Sequence, residues 1–160
     1  MNTNLIITGG RLVDGNTDEH LDIGIADGRI VELAQPGELA HQGEVVDADG
    51  AYVMPGLVDI QVHFRTPGGE ESEDIQSGAQ GAALGGVTAC VMMPNTVPTI
   101  DNVAIVEDIR ALSLGVPCDL HSSAAITVNR EGERLVNFKE LYGVGVRVFT
   151  DDGWVVDSEA

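Results

Sequence analysis

Four polar side chains occupy alternate positions in one short stretch of the chain: Asp59, Gln61, His63 and Arg65. The stretch begins with an apolar run and ends in the turn residues Pro67-Gly68, which is typical of a buried strand that carries chemistry at its C-terminal end. Because side chains on a strand repeat every two residues, all four are expected on one face. This face would carry a carboxylate, an amide, an imidazole and a guanidinium. Such a combination is more typical of a functional site than of a solvated edge strand.

Polar residues also follow two later apolar runs. Asn95 comes after the run 87–93, whose β-branched composition is typical of a parallel strand covered on both sides. Asp151 and Asp152 come after the run 144–149. Polar groups at the C-terminal ends of several parallel strands are the arrangement in which an eight-stranded α/β barrel keeps its active site.

The elements that would position these groups alternate between strand and helix from residue 52 onward. Ser72 is predicted to cap the first helix, which ends at Gly85-Gly86, and Asp101 is predicted to cap the second. Such consecutive βα units have right-handed crossovers. The predicted elements are a strand at 57–62, a helix to about 84, a strand at 87–93, a helix at 102–113, a strand at 118–124, a helix at 138–142 and a strand at 144–149.

The first 54 residues show a different pattern, with short apolar pieces separated by turn residues. Asp27-Gly28 lies between two alternating runs and is the strongest hairpin signal in the chain. The segment is expected to form a small meander that buries little on its own. The predicted strands are 5–8, 11–13, 21–25, 29–33 and 45–46.

Four βα units admit an open doubly wound sheet or half of an eight-stranded barrel. No Gly-x-Gly-x-x-Gly sequence follows a strand, so dinucleotide binding has no support. We therefore expect an α/β fold in which residues 55–160 form the first four βα units of a TIM-type (β/α)8 barrel and residues 1–54 form part of a small β domain. Half a barrel leaves two open edges, so these residues alone are not expected to form a complete, stable enzyme.

Composition excludes some functions. The chain has 8 Lys and Arg against 26 Asp and Glu, for a formal net charge of −18. This charge disfavours nucleic acid and anionic membranes as partners. Cys90 and Cys118 each lie in an apolar segment, which indicates buried thiols in a reducing compartment. With no signal-peptide pattern and no apolar stretch approaching 18 residues, a cytoplasmic location is expected.

Three ordered motifs together resemble the dihydroorotases of the amidohydrolase superfamily. They are Pro-Gly-Leu-Val-Asp59-x-x-x-His63-x-Arg65-x-Pro-Gly, then Met93-Pro-Asn95-Thr, then Phe149-Thr-Asp-Asp152-Gly. The resemblance is to the type with an aspartate between the metals, and it covers the whole chain. It implies a metal-dependent hydrolase barrel preceded by part of a small β-sandwich domain that a later segment completes.

The resemblance also implies roles for individual residues. His63 and Asp152 correspond to metal ligands, and imidazole nitrogen and carboxylate oxygen suit one or two Zn²⁺ ions. Arg65 and Asn95 correspond to the residues that hold the substrate carboxylate, for which a guanidinium fork is well suited. The implied reaction is the reversible hydrolysis of dihydroorotate to N-carbamoyl-L-aspartate in pyrimidine biosynthesis. The general base and the remaining metal ligands are expected beyond residue 160.

Gln61 departs from the family pattern, because it stands where the first histidine of the metal pair is expected. An amide oxygen is a weaker and harder donor for zinc than imidazole. The departure supports an alternative, in which the chain is an inactive dihydroorotase homologue that acts as a structural partner of aspartate carbamoyltransferase. A homo-oligomer is also open. A third interpretation is a hydantoinase or allantoinase, which does not need the carboxylate anchor.

Other candidate residues have plainer interpretations. His121 is expected to be structural, and His20 and His41 are expected to be solvated in turns. Asp151 is expected to shape the loop beside Asp152. Asp59 is expected to give local support to its strand.

Overall fold

The computed structural model describes residues 3–39 and 43–156. The chain divides after Pro55 into two compact units. None of the helices in these ranges is long and apolar enough to cross a membrane. His41 lies outside the described residues.

Within residues 3–39 and 43–55, the first unit contains two sheets built from seven short strands. One sheet has the order β5-β4-β1-β6 and the other the order β3-β2-β7. Because β1 pairs with β6 and β2 pairs with β7 in parallel, the expected simple meander is wrong. The strands are β1 Leu5–Thr8, β2 Arg11–Val13, β3 Asp18–His20, β4 Asp22–Ala26, β5 Arg29–Ala34, β6 Glu44–Asp47 and β7 Tyr52–Val53.

The β4–β5 hairpin confirms its sequence signal. Ala26 pairs with Arg29 across the two turn residues. Asp27 and Gly28 both have positive φ, at 50° and 72°. This is the conformation that a two-residue turn of the primed type requires.

Strand β3 is entirely polar and exposed, and its pairing with β2 is accompanied by the Arg11–Asp18 ion pair at 2.6 Å.

The second unit is a three-stranded parallel sheet with helical connections. Its strand order, β10-β9-β8, follows the sequence, and both pairings are parallel. The elements are β8 Leu57–Val62, α1 Ile75–Leu84, β9 Val87–Met92, α2 Val103–Leu112, β10 Asp119–Ser122, a 3-10 turn Val128–Arg130 and α3 Phe138–Gly143.

The core of this unit is formed by the apolar residues that the helices direct toward the sheet. Gly78 lets α1 approach closely, because a Cβ at this position would collide with the ring of Phe64. The buried core residues include Ile75 and Ala79 of α1, Cys90 and Met92 of β9, Val106 and Ile109 of α2, and Leu141 of α3.

Two helix starts differ from the sequence prediction. Asp74, not Ser72, caps α1, and it forms a reciprocal capping box with Ser77. Asn102, not Asp101, caps α2 by accepting from the amide of Ile105. The side chain of Asp101 accepts instead from the amide of Asn129, at 2.9 Å. Aspartate, asparagine and serine all cap well, so composition alone does not choose among adjacent candidates.

The predicted fourth strand at 144–149 is mostly absent. Only Phe149 forms a bridge, parallel to Ala124. Gly145 has φ +102°, which interrupts the extended conformation near the beginning of the segment. The bridge is nevertheless stabilised by the edge-on packing of Phe149 on Phe138, whose ring centroids lie 4.9 Å apart.

The expectation that β8 is buried is also wrong. Val58 and Ile60 are 64% and 69% exposed. Among the described residues β8 pairs only with β9, so its other edge is open. The apolar run is typical of a buried strand, but within the described residues β8 is exposed.

Candidate active site

The candidate site lies where β8 and β9 end. Val62 and Met92 are paired at the C-terminal ends of these parallel strands. The loop 63–69 follows the first strand and the loop 93–98 follows the second, so both loops leave the same edge of the sheet. The amide of Val97 donates to the carbonyl of Pro67 at 3.0 Å and joins the two loops.

Gly68 makes this joint possible. Its φ is +93°, and a Cβ at this position would collide with the carbonyl oxygen of Val97. Glycine therefore satisfies both the backbone conformation and the close approach. Glu70 holds the same turn, because both of its carboxylate oxygens lie 3.0 Å from the amide of Gly68.

His63 and Asn95 are brought together across the two loops. Nδ1 of His63 lies 3.0 Å from Oδ1 of Asn95, and both side chains are half-buried. An amide oxygen can only accept, so Nδ1 carries the proton. In the neutral ring Nε2 then has a free lone pair. This is the arrangement in which a metal-binding histidine is usually held.

Arg65 is exposed, and its guanidinium has no hydrogen-bond or ion-pair partner within residues 3–39 and 43–156. Its backbone is nevertheless fixed, because its carbonyl accepts from the amide of Gly69 at 2.8 Å. Because the backbone of Arg65 is fixed and its guanidinium has no partner in the described residues, the guanidinium is available to bind an anion.

The expected single polar face does not hold along the whole strand. The pairing register shifts between Asp59 and Val62, which oppose Cys90 and Met92. β8 therefore has one more residue than its neighbour in this interval, and such a bulge breaks the simple alternation. The carboxylate of Asp59 accepts from the amide of Gln61 at 2.9 Å, so Asp59 supports the strand locally, as expected. The Gln61 side chain is exposed.

Asp151 and Asp152 differ in their surroundings. Asp151 is 2% exposed. Its carboxylate accepts from the amides of Ile126 and Thr127, at 2.8 and 3.1 Å, and from the hydroxyl of Thr127 at 2.6 Å. Asp152 has φ +56°, and its carboxylate lies 3.9 Å from the guanidinium of Arg130. Asp151 therefore connects two loops, as expected, while the carboxylate of Asp152 faces the guanidinium of Arg130.

The donor chemistry fits part of a zinc site. His63 offers an imidazole nitrogen whose ring is oriented by Asn95, and Asp152 offers a carboxylate. No group of three His, Cys, Asp or Glu side chains suited to a metal ion occurs within the described ranges. His63 and Asp152 can thus supply only part of a ligand set.

The other two histidines within the described residues both lie at exposed strand positions. His121 lies in β10 and is exposed, and His20 lies in β3 and is also exposed. Arg130, by contrast, was not singled out by the sequence. It stands in a polar loop with no periodic signal, and only the fold reveals its proximity to Asp152.

Two solved structures that share the fold of this chain are named as hydantoinases. An L-hydantoinase (dihydropyrimidinase) from Arthrobacter aurescens has a TM-score of 0.78 at 21% identity, over 92% of this chain and 32% of that one. A D-hydantoinase (dihydropyrimidinase) from Thermus sp. has a TM-score of 0.62 at 26% identity, over 77% of this chain and 28% of that one. This chain thus shares its fold with part of each of these hydantoinases.

Sequence comparison narrows the class to a family. The sequence model described as dihydro-orotase-like matches residues 50–160. A dihydroorotase from Streptococcus pneumoniae serotype 4 is 41% identical over 157 residues, which cover 96% of this chain and 37% of that protein. The chain belongs to the dihydroorotase-like family and spans little more than a third of the length of this relative.

Proposed function

We propose that this chain is part of a dihydroorotase, which reversibly hydrolyses the ring amide of dihydroorotate to N-carbamoyl-L-aspartate in pyrimidine biosynthesis. The observation that carries the proposal is the exposed guanidinium of Arg65, which has no partner in the described part of the chain, on the loop that also holds His63 against Asn95. The relatives named dihydroorotase support it.

Within the site each residue has a separate task. Arg65 binds the substrate carboxylate through two parallel hydrogen bonds. Asn95 uses its two ends differently: Oδ1 accepts from His63, which leaves the Nδ2 group to donate to the same carboxylate. The two residues thereby fix the orientation of the ring.

His63, through Nε2, and Asp152, through its carboxylate, would hold zinc together with further ligands. When bound, the ion supplies Lewis acidity and lowers the pKa of a water molecule. The role of this chain is to orient the two donors. Asn95 fixes the tautomer of His63. The carboxylate of Asp151 anchors the loop that positions the backbone of Asp152.

We further propose that residues 55–160 form the beginning of a (β/α)8 barrel and residues 1–54 part of the small β domain. The sequential parallel order of β8, β9 and β10 supports this, as does the parallel bridge between Ala124 and Phe149. The polar strand ends then lie at the C-terminal face, where barrels hold their sites. A cytoplasmic location is consistent with the two free, buried cysteines.

Arg65 separates this function from that of a hydantoinase. The test is the turnover of dihydroorotate, and of dihydrouracil as a ring without the carboxylate, by the purified full-length protein with added zinc. Arg65→Met removes the charged hydrogen bonds, worth about 1.5–3 kcal/mol, and should lower kcat/KM for dihydroorotate about 10- to 100-fold. Any turnover of dihydrouracil should not change. His63→Ala serves as the inactive control.

Undiminished turnover of dihydroorotate by Arg65→Met would contradict the anchoring role. Dihydrouracil turnover above that of dihydroorotate would favour the hydantoinase function instead.

A second candidate is a non-catalytic homologue that supports aspartate carbamoyltransferase, and Gln61 is the observation that favours it. Co-purification with that enzyme, together with dihydroorotate turnover no higher than in His63→Ala, would establish this alternative. Stoichiometric zinc and turnover above that control would reject it.

A further inference from the structure

The loop after β10 turns back toward the Asp151-Asp152 segment. Asn129 and Arg130 have φ of +55° and +61°, and Gly132 follows at +77°. Two consecutive non-glycine residues in the left-handed region are uncommon and persist only when surrounding contacts hold them. Here Asp101 accepts from the amide of Asn129, and the hydroxyl of Thr127 accepts from the amide of Gly132.

This backbone conformation directs the Arg130 side chain to both aspartates. Its Nε donates to the carbonyl oxygen of Asp151 at 3.1 Å, and its Nη2 lies 3.9 Å from Oδ2 of Asp152. The side chains of Arg130 and Asp152 are each 13% exposed. An ion pair so little exposed is screened less than a surface pair.

We infer that Arg130 is a positioning residue that holds the Asp152 carboxylate in place to bind a metal ion. The inference rests on the proposed function, in which Asp152 is a zinc ligand. The planar guanidinium is suited to this task because Nε fixes the backbone of the loop while Nη2 faces the carboxylate.

The distance between the two charges supports positioning rather than competition. At 3.9 Å the contact is longer than the 2.7–3.2 Å of a hydrogen bond. The Asp152 oxygens are therefore not used by a hydrogen bond to this guanidinium and stay available to a metal ion. A competing cation would bond directly to those oxygens.

The test measures zinc dissociation constants by competition with a chromophoric chelator, using the purified full-length protein. Arg130→Met should weaken zinc binding about 10- to 100-fold, as loss of a residue that orients a ligand typically does. Arg130→Lys, which keeps the charge but not the fork, should give a smaller loss. Arg134 lies in the same loop and is exposed, and its side chain has no hydrogen-bond or ion-pair partner among the described residues. Arg134→Met removes the same charge and should bind zinc like the wild type.

The outcomes separate this inference from the proposed function. Unchanged or tighter binding by Arg130→Met overturns the inference alone, provided that Asp152→Asn weakens binding. Unchanged binding by Asp152→Asn overturns both, because Asp152 is then not a ligand. Should Arg130→Met fail to fold, the comparison of Arg130→Lys with Arg134→Lys decides: only the first should weaken binding, and equal affinities overturn the inference.

Discussion

Nδ1 of His63 and Oδ1 of Asn95 lie 3.0 Å apart and connect the loops that follow two neighbouring strands. The contact fixes the tautomer of the imidazole, because the amide oxygen only accepts. In the proposed function it leaves the Nδ2 group of Asn95 to donate to the substrate carboxylate.

Substitutions of Asn95 should separate these two tasks. Asn95→Asp keeps an acceptor for His63 but loses the donor and repels a carboxylate, so zinc should be retained while kcat/KM for dihydroorotate falls at least about tenfold. Asn95→Ala loses both tasks, and zinc affinity should also fall about tenfold. Chelator competition and steady-state kinetics measure the two effects. Wild-type zinc affinity in Asn95→Ala would show that the contact does not orient the metal ligand.

Replacing Gln61 by histidine should strengthen metal binding. An imidazole is a better zinc donor than a neutral amide oxygen, so Gln61→His should raise zinc affinity or stoichiometry, with an affinity gain of at least about tenfold. Gln61→Asn keeps an amide and is the matched control. Metal analysis after dialysis gives the stoichiometry. Equal zinc contents in the two variants would mean that position 61 does not face the metal, for which the bulge between Asp59 and Val62 would be the reason.

Two glycines should respond in opposite directions to alanine. At Gly68 the positive φ and the collision with Val97 should destabilise the protein by about 1–3 kcal/mol. At Gly81, inside α1, a Cβ meets nothing within 4 Å, and alanine should stabilise by about 0.5–1 kcal/mol. Urea denaturation of each variant gives the free energy of unfolding. A Gly68→Ala variant as stable as the wild type would refute the steric role of this turn.

Cys90 should be unreactive in the folded protein. Burial, reinforced by the neighbouring Cys118 thiol, raises the pKa of Cys90 to about 11. At pH 8 only about one thiol in a thousand is then ionised. Iodoacetamide labelling followed by peptide mapping should detect Cys90 only after unfolding in guanidinium. Rapid labelling of the native protein would contradict this placement.

The raised pKa of Cys90 also makes the free energy of unfolding depend on pH. The folded pKa of Cys90 lies above the unfolded value of about 8.5. The folded state therefore retains the proton longer, and this contribution to stability is present below about pH 8.5. It is lost as the pH rises toward about 11. Cys90→Ala should remove this part of the alkaline decline in unfolding free energy.

The sequence predicted local features best where a single residue type decides the structure. Asp27-Gly28 required a primed hairpin turn, and the structure has one. The beginnings of α1 and α2 were placed incorrectly because neighbouring residues, such as Asp101 and Asn102, cap equally well in isolation. The choice depends on tertiary contacts, and Asp101 is engaged by Asn129.

Long-range relationships were less accessible. Motif spacing singled out His63 and Asn95 as candidates, but their contact depends on how two loops pack, which local patterns do not encode. The bulge in β8 could not be predicted, since alternation in sequence does not reveal the register of a partner strand. The sequence does not indicate Arg130, because its proximity to Asp152 depends on left-handed backbone angles in a loop with no regular pattern.

The open edge of β8 has a practical consequence for work with these residues alone. An unpaired strand that exposes Val58 and Ile60 offers hydrogen-bonding groups and apolar side chains to a second molecule. Mutual repulsion at a net charge of −18 opposes such self-association at low ionic strength, but salt screens that repulsion. A protein made of these residues alone should therefore remain dispersed in dilute buffer and aggregate as salt is added.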